Sequence, residues 1–184
     1  MLMGFDLAPR KCGWCAGTGE VVPTAGGFRL PGLDADLGYL MDALKERVEP
    51  LLDLYRPTQV IYESPILPAG PRFKASVMGS LEQRRAQFGQ GAFFEWLCRQ
   101  RSIPCVEASV WDVKQALTGS KGADKDQMVA AALRLGVRLP DLMVEGREDA
   151  ADAVGAWLVG VRHYAKQYLP DWDRRVHSRR GALL

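Results

Sequence analysis

The chain has no apolar run long enough to span a bilayer, and its first residues lack the basic-then-apolar layout of a signal peptide. No membrane partner is expected, and the chain is read as cytoplasmic. Cysteine is scarce: only Cys12, Cys15, Cys98 and Cys105 are present. Cys12-Gly13-Trp14-Cys15 has the spacing of half a zinc site, but Cys98 and Cys105 do not form a matching half. On a strand, an offset of three sends two side chains to opposite faces. Reduced, structural thiols are therefore expected. Internal repeats and low-complexity segments are also absent, and 184 residues suit one domain with a sizeable core.

Net charge is low, at +2, but unevenly spread. Residues 162–184 carry Arg162, Lys166, Arg174, Arg175, Arg179 and Arg180 against Asp171 and Asp173, a net of +4. Residues 72–125 are also at +4, so the remainder is acidic. An acidic centre between basic segments suits a metal-dependent enzyme acting on a polyanion. It also describes an ordinary solvated surface, so charge alone does not decide.

Along the chain, Met1–Leu7, Lys11–Ala16 and Gly27–Leu30 read as strands, with turns at Gly17-Thr18-Gly19 and Ala25-Gly26-Gly27. From Leu37 to Tyr55 the apolar residues follow helical spacing, and Arg56-Pro57 ends that helix. Gln59–Tyr62 is a short buried strand ending at Glu63. A loop with Pro65, Pro68 and Pro71 precedes a helix from Ser80 to Arg101, whose apolar side is Phe88, Ala92, Phe93, Trp96 and Leu97. Ile103–Val106 reads as a strand, Trp111–Leu117 and Asp124–Leu135 as helices, and a long final helix starts near Glu148. Residues 1–169 form one domain in this reading, and 170–184 a basic tail. The order predicts an α/β fold with a mixed sheet and helices on its faces.

The acids stand out within that frame. Asp149 and Asp152 share one face of the last helix, a turn apart, among small residues. Taken singly, Asp149 also suits a helix N-terminus, Asp6 a turn with Pro9, and Glu63 a surface strand end. If the first and fourth strands are neighbours, however, Asp6 and Glu63 emerge together, and the last helix can bring its two acids against them. Four carboxylates at one point repel unless cations neutralise them. Two divalent cations about 4 Å apart there could drive in-line displacement at a phosphodiester.

Four segments carry a family resemblance. Met3-Gly4-Phe5-Asp6-Leu7-Ala8 resembles the opening strand of the RuvC family of Holliday-junction resolvases, in the RNase H-like superfamily. Val60-Ile61-Tyr62-Glu63 resembles that family's second acidic position. Val113–Gly119 with Gly122–Val129 is similar to its lysine-bearing segment, and Asp149-Ala150-Ala151-Asp152-Ala153 to its closing acidic motif. The segments occur in the family's order and cover most of residues 1–165.

The resemblance implies an RNase H-like five-stranded mixed sheet, antiparallel over strands one to three and parallel thereafter. It implies a Mg²⁺-dependent endodeoxyribonuclease acting on branched DNA, most of all four-way junctions, as a homodimer. Asp6, Glu63, Asp149 and Asp152 would be the catalytic, metal-binding acids, holding two Mg²⁺ per site with Mn²⁺ able to substitute. Lys125 would act near the scissile phosphate, and Lys114 there or on the DNA backbone.

Further DNA contacts are expected from Lys121, Arg72, Arg84 and Arg85. The bacterial family tends to carry an aromatic just after the second acid. Here that stretch is Ser64-Pro65-Ile66-Leu67, with Ile66 placed to wedge and Phe73 to stack from further along. This departure bears on junction selectivity, and it suits a phage-encoded or divergent bacterial member. The Ser80–Arg101 helix, with Gly89-Gln90-Gly91-Ala92 beside aromatics, is the expected dimer interface, core packing being the alternative. Two other functions stay open: an RNase H-like nuclease of flaps or RNA–DNA hybrids, and a catalytically idle junction-binding module.

Overall fold

The computed structural model describes residues 1–32, 35–65, 80–141 and 146–168. The chain opens with an antiparallel meander of β1 (Leu2–Leu7), β2 (Lys11–Gly17) and β3 (Thr24–Arg29). Then β4 (Gln59–Glu63) lies parallel beside β1, and β5 (Cys105–Ala108) parallel beside β4. The sheet order is β3-β2-β1-β4-β5. β1 is central and apolar on both sides, as a strand covered on both faces must be.

Helices α1 (Leu37–Tyr55) and α2 (Leu81–Gln100) cover one face. Helices α3 (Val110–Thr118), α4 (Lys125–Arg134) and α5 (Arg147–Tyr164) cover the other. Strand alternation sorts β1 between them: Met3, Phe5 and Leu7 join the α1/α2 core, and Leu2 joins the α5 core. Cys12 and Cys15 likewise fall in different cores, so they cannot share a metal. Among the described residues, no helix is long and apolar enough to cross a membrane.

α5 is the main support of the second face, and two glycines let it approach. A Cβ at Gly4 of β1 would overlap the backbone of Ala153 and Trp157, and one at Gly13 of β2 that of Asp149 and Ala150. The small residues Ala150, Ala151, Ala153, Gly155 and Ala156 complete the fit, and all are buried. Trp157 is fully buried, and its indole N–H donates to the Gly17 carbonyl at 3.2 Å.

Three expectations are corrected. Ala25-Gly26-Gly27 is not a turn but the middle of β3. Gly26 lies there because a Cβ would come within 2.7 Å of the Trp14 ring. The fifth strand starts at Cys105, not Ile103. Residues 101–103 are spent closing α2: Ser102 takes a left-handed φ of 54°, and the Ile103 N–H donates to the Cys98 carbonyl. In α2, the buried side is Ala86, Gln90, Gly91, Phe94, Leu97 and Cys98. Of the expected stripe only Leu97 is buried, while Phe88, Ala92 and Trp96 are exposed. The helix is turned this way by Phe94, whose ring packs edge-on against Phe5 at 4.8 Å and against Tyr62 at 5.8 Å.

Candidate active site at the carboxyl end of the sheet

β1 and β4 are parallel neighbours with Phe5 beside Tyr62, so the next step along both strands sets Asp6 beside Glu63. Gly4 faces α5, and by alternation so does Asp6. Ile61 belongs to the α5 core, and by the same alternation so does Glu63. α5 starts over β2 at Gly13 and crosses β1 at Gly4, which carries its first turns past the carboxyl ends of both strands. Asp149 is buried in its first turn, and Asp152 follows one turn on.

The four carboxylates share one electrostatic site. Asp6 is held well above the usual carboxylate range, first by burial and then by the charges of Glu63, Asp152 and Asp149. Glu63 is pushed up to about 8 by burial and by Asp152, with Lys114 and Lys125 opposing. Asp152 is pushed up to about 6 by burial, reinforced by Asp149 and Glu148 and opposed by Lys125 and Lys114. Asp149 is raised by burial, with Lys125 and Lys11 pulling the other way.

This donor set suits a hard divalent cation. It consists of carboxyl oxygens, buried or half-buried, that repel one another once ionised, and that repulsion is the cost such an ion removes. As they stand, no three Asp, Glu, His or Cys side chains among the described residues are gathered closely enough to hold a metal ion. Electrostatic coupling thus reaches further than a coordination sphere.

The basic expectations divide. Lys114 turns toward the acids and donates to the Ala123 carbonyl at 2.7 Å. Lys125 sits at the start of α4, pairs with Glu148 and bears on all four acids. Lys121 is exposed in the turn between α3 and α4. Arg84 and Arg85 lie on α2, behind the sheet from the acids. Arg84 Nε is buried without a hydrogen-bond partner, and Arg85 lines a cavity of about 180 Å³ with Asp36 and Glu82. Ile66, Arg72, Phe73 and the tail 170–184 lie outside the described residues.

Two neighbours of the cluster had no assigned role in the sequence reading. Lys11 opens β2, and the hairpin register that pairs Asp6 with Gly13 carries it to the acidic end. Glu148 meets Lys125 across 23 residues of chain. Glu148 immediately precedes the DxxD segment and is visible there as a third acid.

A mixed sheet in this order, with two acids at adjacent strand ends and two on the closing helix, defines the RNase H-like fold class. Comparison with protein-family models finds no match. Curated relatives do match along nearly the whole chain. A crossover junction endodeoxyribonuclease RuvC of Roseiflexus sp. strain RS-1 is 34% identical over 180 residues, covering 97% of this chain and 96% of its own. The enzyme of that name from Streptomyces avermitilis is 30% identical over 168 residues, covering 88% and 85%. The chain belongs to the RuvC family. Among solved structures, Thermus thermophilus RuvC in complex with a Holliday junction substrate superposes with a TM-score of 0.65 at 17% identity, over 90% of this chain and 94% of that one. The yeast mitochondrial Holliday junction resolvase Ydc2 gives 0.54 at 14% identity, over 92% and 83%. At such identities these two speak for the fold.

Proposed function

We propose that this protein is a divalent-metal-dependent endonuclease that resolves four-way DNA junctions by paired phosphodiester hydrolysis, working as a homodimer. The observation that carries the reading is the coupling of Asp6, Glu63, Asp149 and Asp152 at one end of the sheet, with Lys114 and Lys125 beside them. Family membership supports it, since the named relatives are crossover junction endodeoxyribonucleases.

Asp6, Glu63, Asp149 and Asp152 would hold two Mg²⁺ ions, with Mn²⁺ as a substitute. Bound there, the ions would supply an activated water and charge stabilisation at the leaving oxygen. The chain's own share is positioning. β1 and β4 fix two carboxylates through backbone pairing, and α5 fixes two through its packing on Gly4 and Gly13. Lys114 and Lys125 offer ammonium groups to phosphate oxygens, and lysine serves such a site as a point charge. Water replaces one ester oxygen at phosphorus, and the strand is cut.

The test is a panel of four-way junction, flap, RNA–DNA hybrid and plain duplex, each with and without Mg²⁺. Cleavage of the junction in preference, and only with metal, is the expected result. Preference for flap or hybrid would move the protein to a different RNase H-like activity. Tight junction binding with no cleavage under any metal would make it a binding module.

A further inference from the structure

The two lysines beside the carboxylates are held by different kinds of partner. Lys114 gives its ammonium to a neutral backbone carbonyl, that of Ala123. Lys125 gives its own to a charged side chain, Glu148. Lys125 is the first residue of α4, where a cation opposes the helix dipole. Glu148 lies in the first turn of α5, where an anion suits the dipole and Gly146 provides no side-chain cap.

The fold does not need this pair. α4 and α5 already meet through Met128, Ala131 and Ala132 in the shared core. The two side chains are 66% and 51% exposed, and exposed ion pairs add little stability. What the pair fixes is a direction. A free lysine on an exposed helix start samples many rotamers in water. Glu148 directly precedes Asp149 and stands one turn before Asp152, so a lysine tied to it stays with the acids. Lysine has three N–H donors, and a carboxylate that takes one leaves the others for phosphate oxygens.

We infer that Glu148 is a positioning residue whose ion pair holds the Lys125 ammonium beside the carboxylate cluster, directed at the phosphate to be cut. This rests on the nuclease reading above. Glu148 need not touch DNA or metal. Its effect passes through Lys125.

The test uses the full chain and a four-way junction, with single-turnover cleavage at saturating enzyme in Mg²⁺. Glu148→Gln should slow cleavage roughly two- to fivefold, the scale on which losing an exposed ion pair shifts a side chain's population. Junction affinity should hold or tighten, because a negative charge near DNA is lost, and the melting temperature should stay put. Glu148→Asp should recover part of the rate. The double variant Glu148→Gln/Lys125→Met should be no slower than Lys125→Met alone, since coupled residues are not additive. Wild-type speed in Glu148→Gln, or losses that multiply in the double variant, overturns the inference. A second reading needs no cleavage: the Lys125 ammonium, followed by ¹⁵N NMR, should be ordered in the wild type and freely rotating in Glu148→Gln. No difference between them overturns the inference as well. A wild-type chain that cuts no branched DNA sinks the nuclease reading separately, while the NMR comparison still decides the role of Glu148.

Discussion

At the scale of single residues, the acids are expected to act on activity and stability in opposite directions. On the proposed assignment, any one of Asp6→Asn, Glu63→Gln, Asp149→Asn or Asp152→Asn would remove a metal ligand that also compensates cation charge. Cleavage should fall by roughly a hundredfold or more, the scale for losing one preorganised charge stabiliser. The same change removes one buried, repelled charge, so in EDTA each variant should melt above the wild type. Calorimetry beside a cleavage assay reads both. Two or more of these variants cutting at near-normal rate would remove the assignment. A pH dependence follows from the same shifts. Glu63 moves from an ordinary 4.5 to about 8 and Asp152 from 3.8 to about 6. Between about pH 4 and 8 the folded chain binds more protons than the unfolded one, so unfolding free energy falls as pH rises. Metal-free protein should therefore lose melting temperature steadily across it. Saturating Mg²⁺ should flatten or reverse the slope, because the cation replaces the protons. Identical slopes with and without Mg²⁺ would contradict the shared site.

At the scale of elements, the closing helix is only as well placed as the glycines beneath it. Gly4→Ala puts a methyl group against the backbone of Trp157, whose Cα would stand 2.9 Å away. Backbone cannot swing aside as a side chain can. The expected cost is about 3 kcal/mol, the upper end for overpacking, or roughly 6–12 °C in a domain of this size. Cleavage should fall even at temperatures where the variant stays folded, because Asp149 and Asp152 ride on the displaced helix. A melting curve unchanged by Gly4→Ala would show that α5 does not lie this close. These glycines also explain what was legible in the sequence. α1 reads correctly from its apolar spacing, with Asp36 capping one end and Arg56 turning left-handed at the other. β3 does not, because Gly26 and Gly27 look like a turn while serving close packing against Trp14 and Gly146. The face of α2 was misread for another reason. Phe93, Phe94, Trp96 and Leu97 surround the helix, and only contact with Phe5 and Tyr62 shows which of them turns inward. Asp6 and Glu63 were visible as acids at strand ends, but their meeting needed β1 and β4 to be neighbours. Lys11 and Glu148 were not assignable, since their roles depend on hairpin register and on a pairing between distant segments.

At the scale of the whole molecule, the acids and the outer face of α2 belong to different layers of one sheet. A second copy can therefore cover α2 without blocking the site. That outer face carries Phe88 at 42% exposure, Trp96 at 49% and Ala92 between them, and Phe93 stacks on Trp96 at 5.6 Å. Aromatic area gathered on one exposed helix face is a feature of interaction surfaces. A four-way junction has two strands to cut symmetrically, and a two-fold pair of chains matches that symmetry. Ala92→Glu places a charge at the middle of the face. It should leave the monomer's stability nearly unchanged, because Ala92 is exposed in the single chain. By light scattering the wild type should be a dimer and the variant a monomer. On a junction the variant should make single, unpaired nicks in place of coordinated cuts, which a supercoiled cruciform plasmid distinguishes as open circles against linear product. A wild-type chain that stays monomeric at micromolar concentration, with and without a junction, would rule this interface out and leave paired cutting to two chains recruited independently by the DNA.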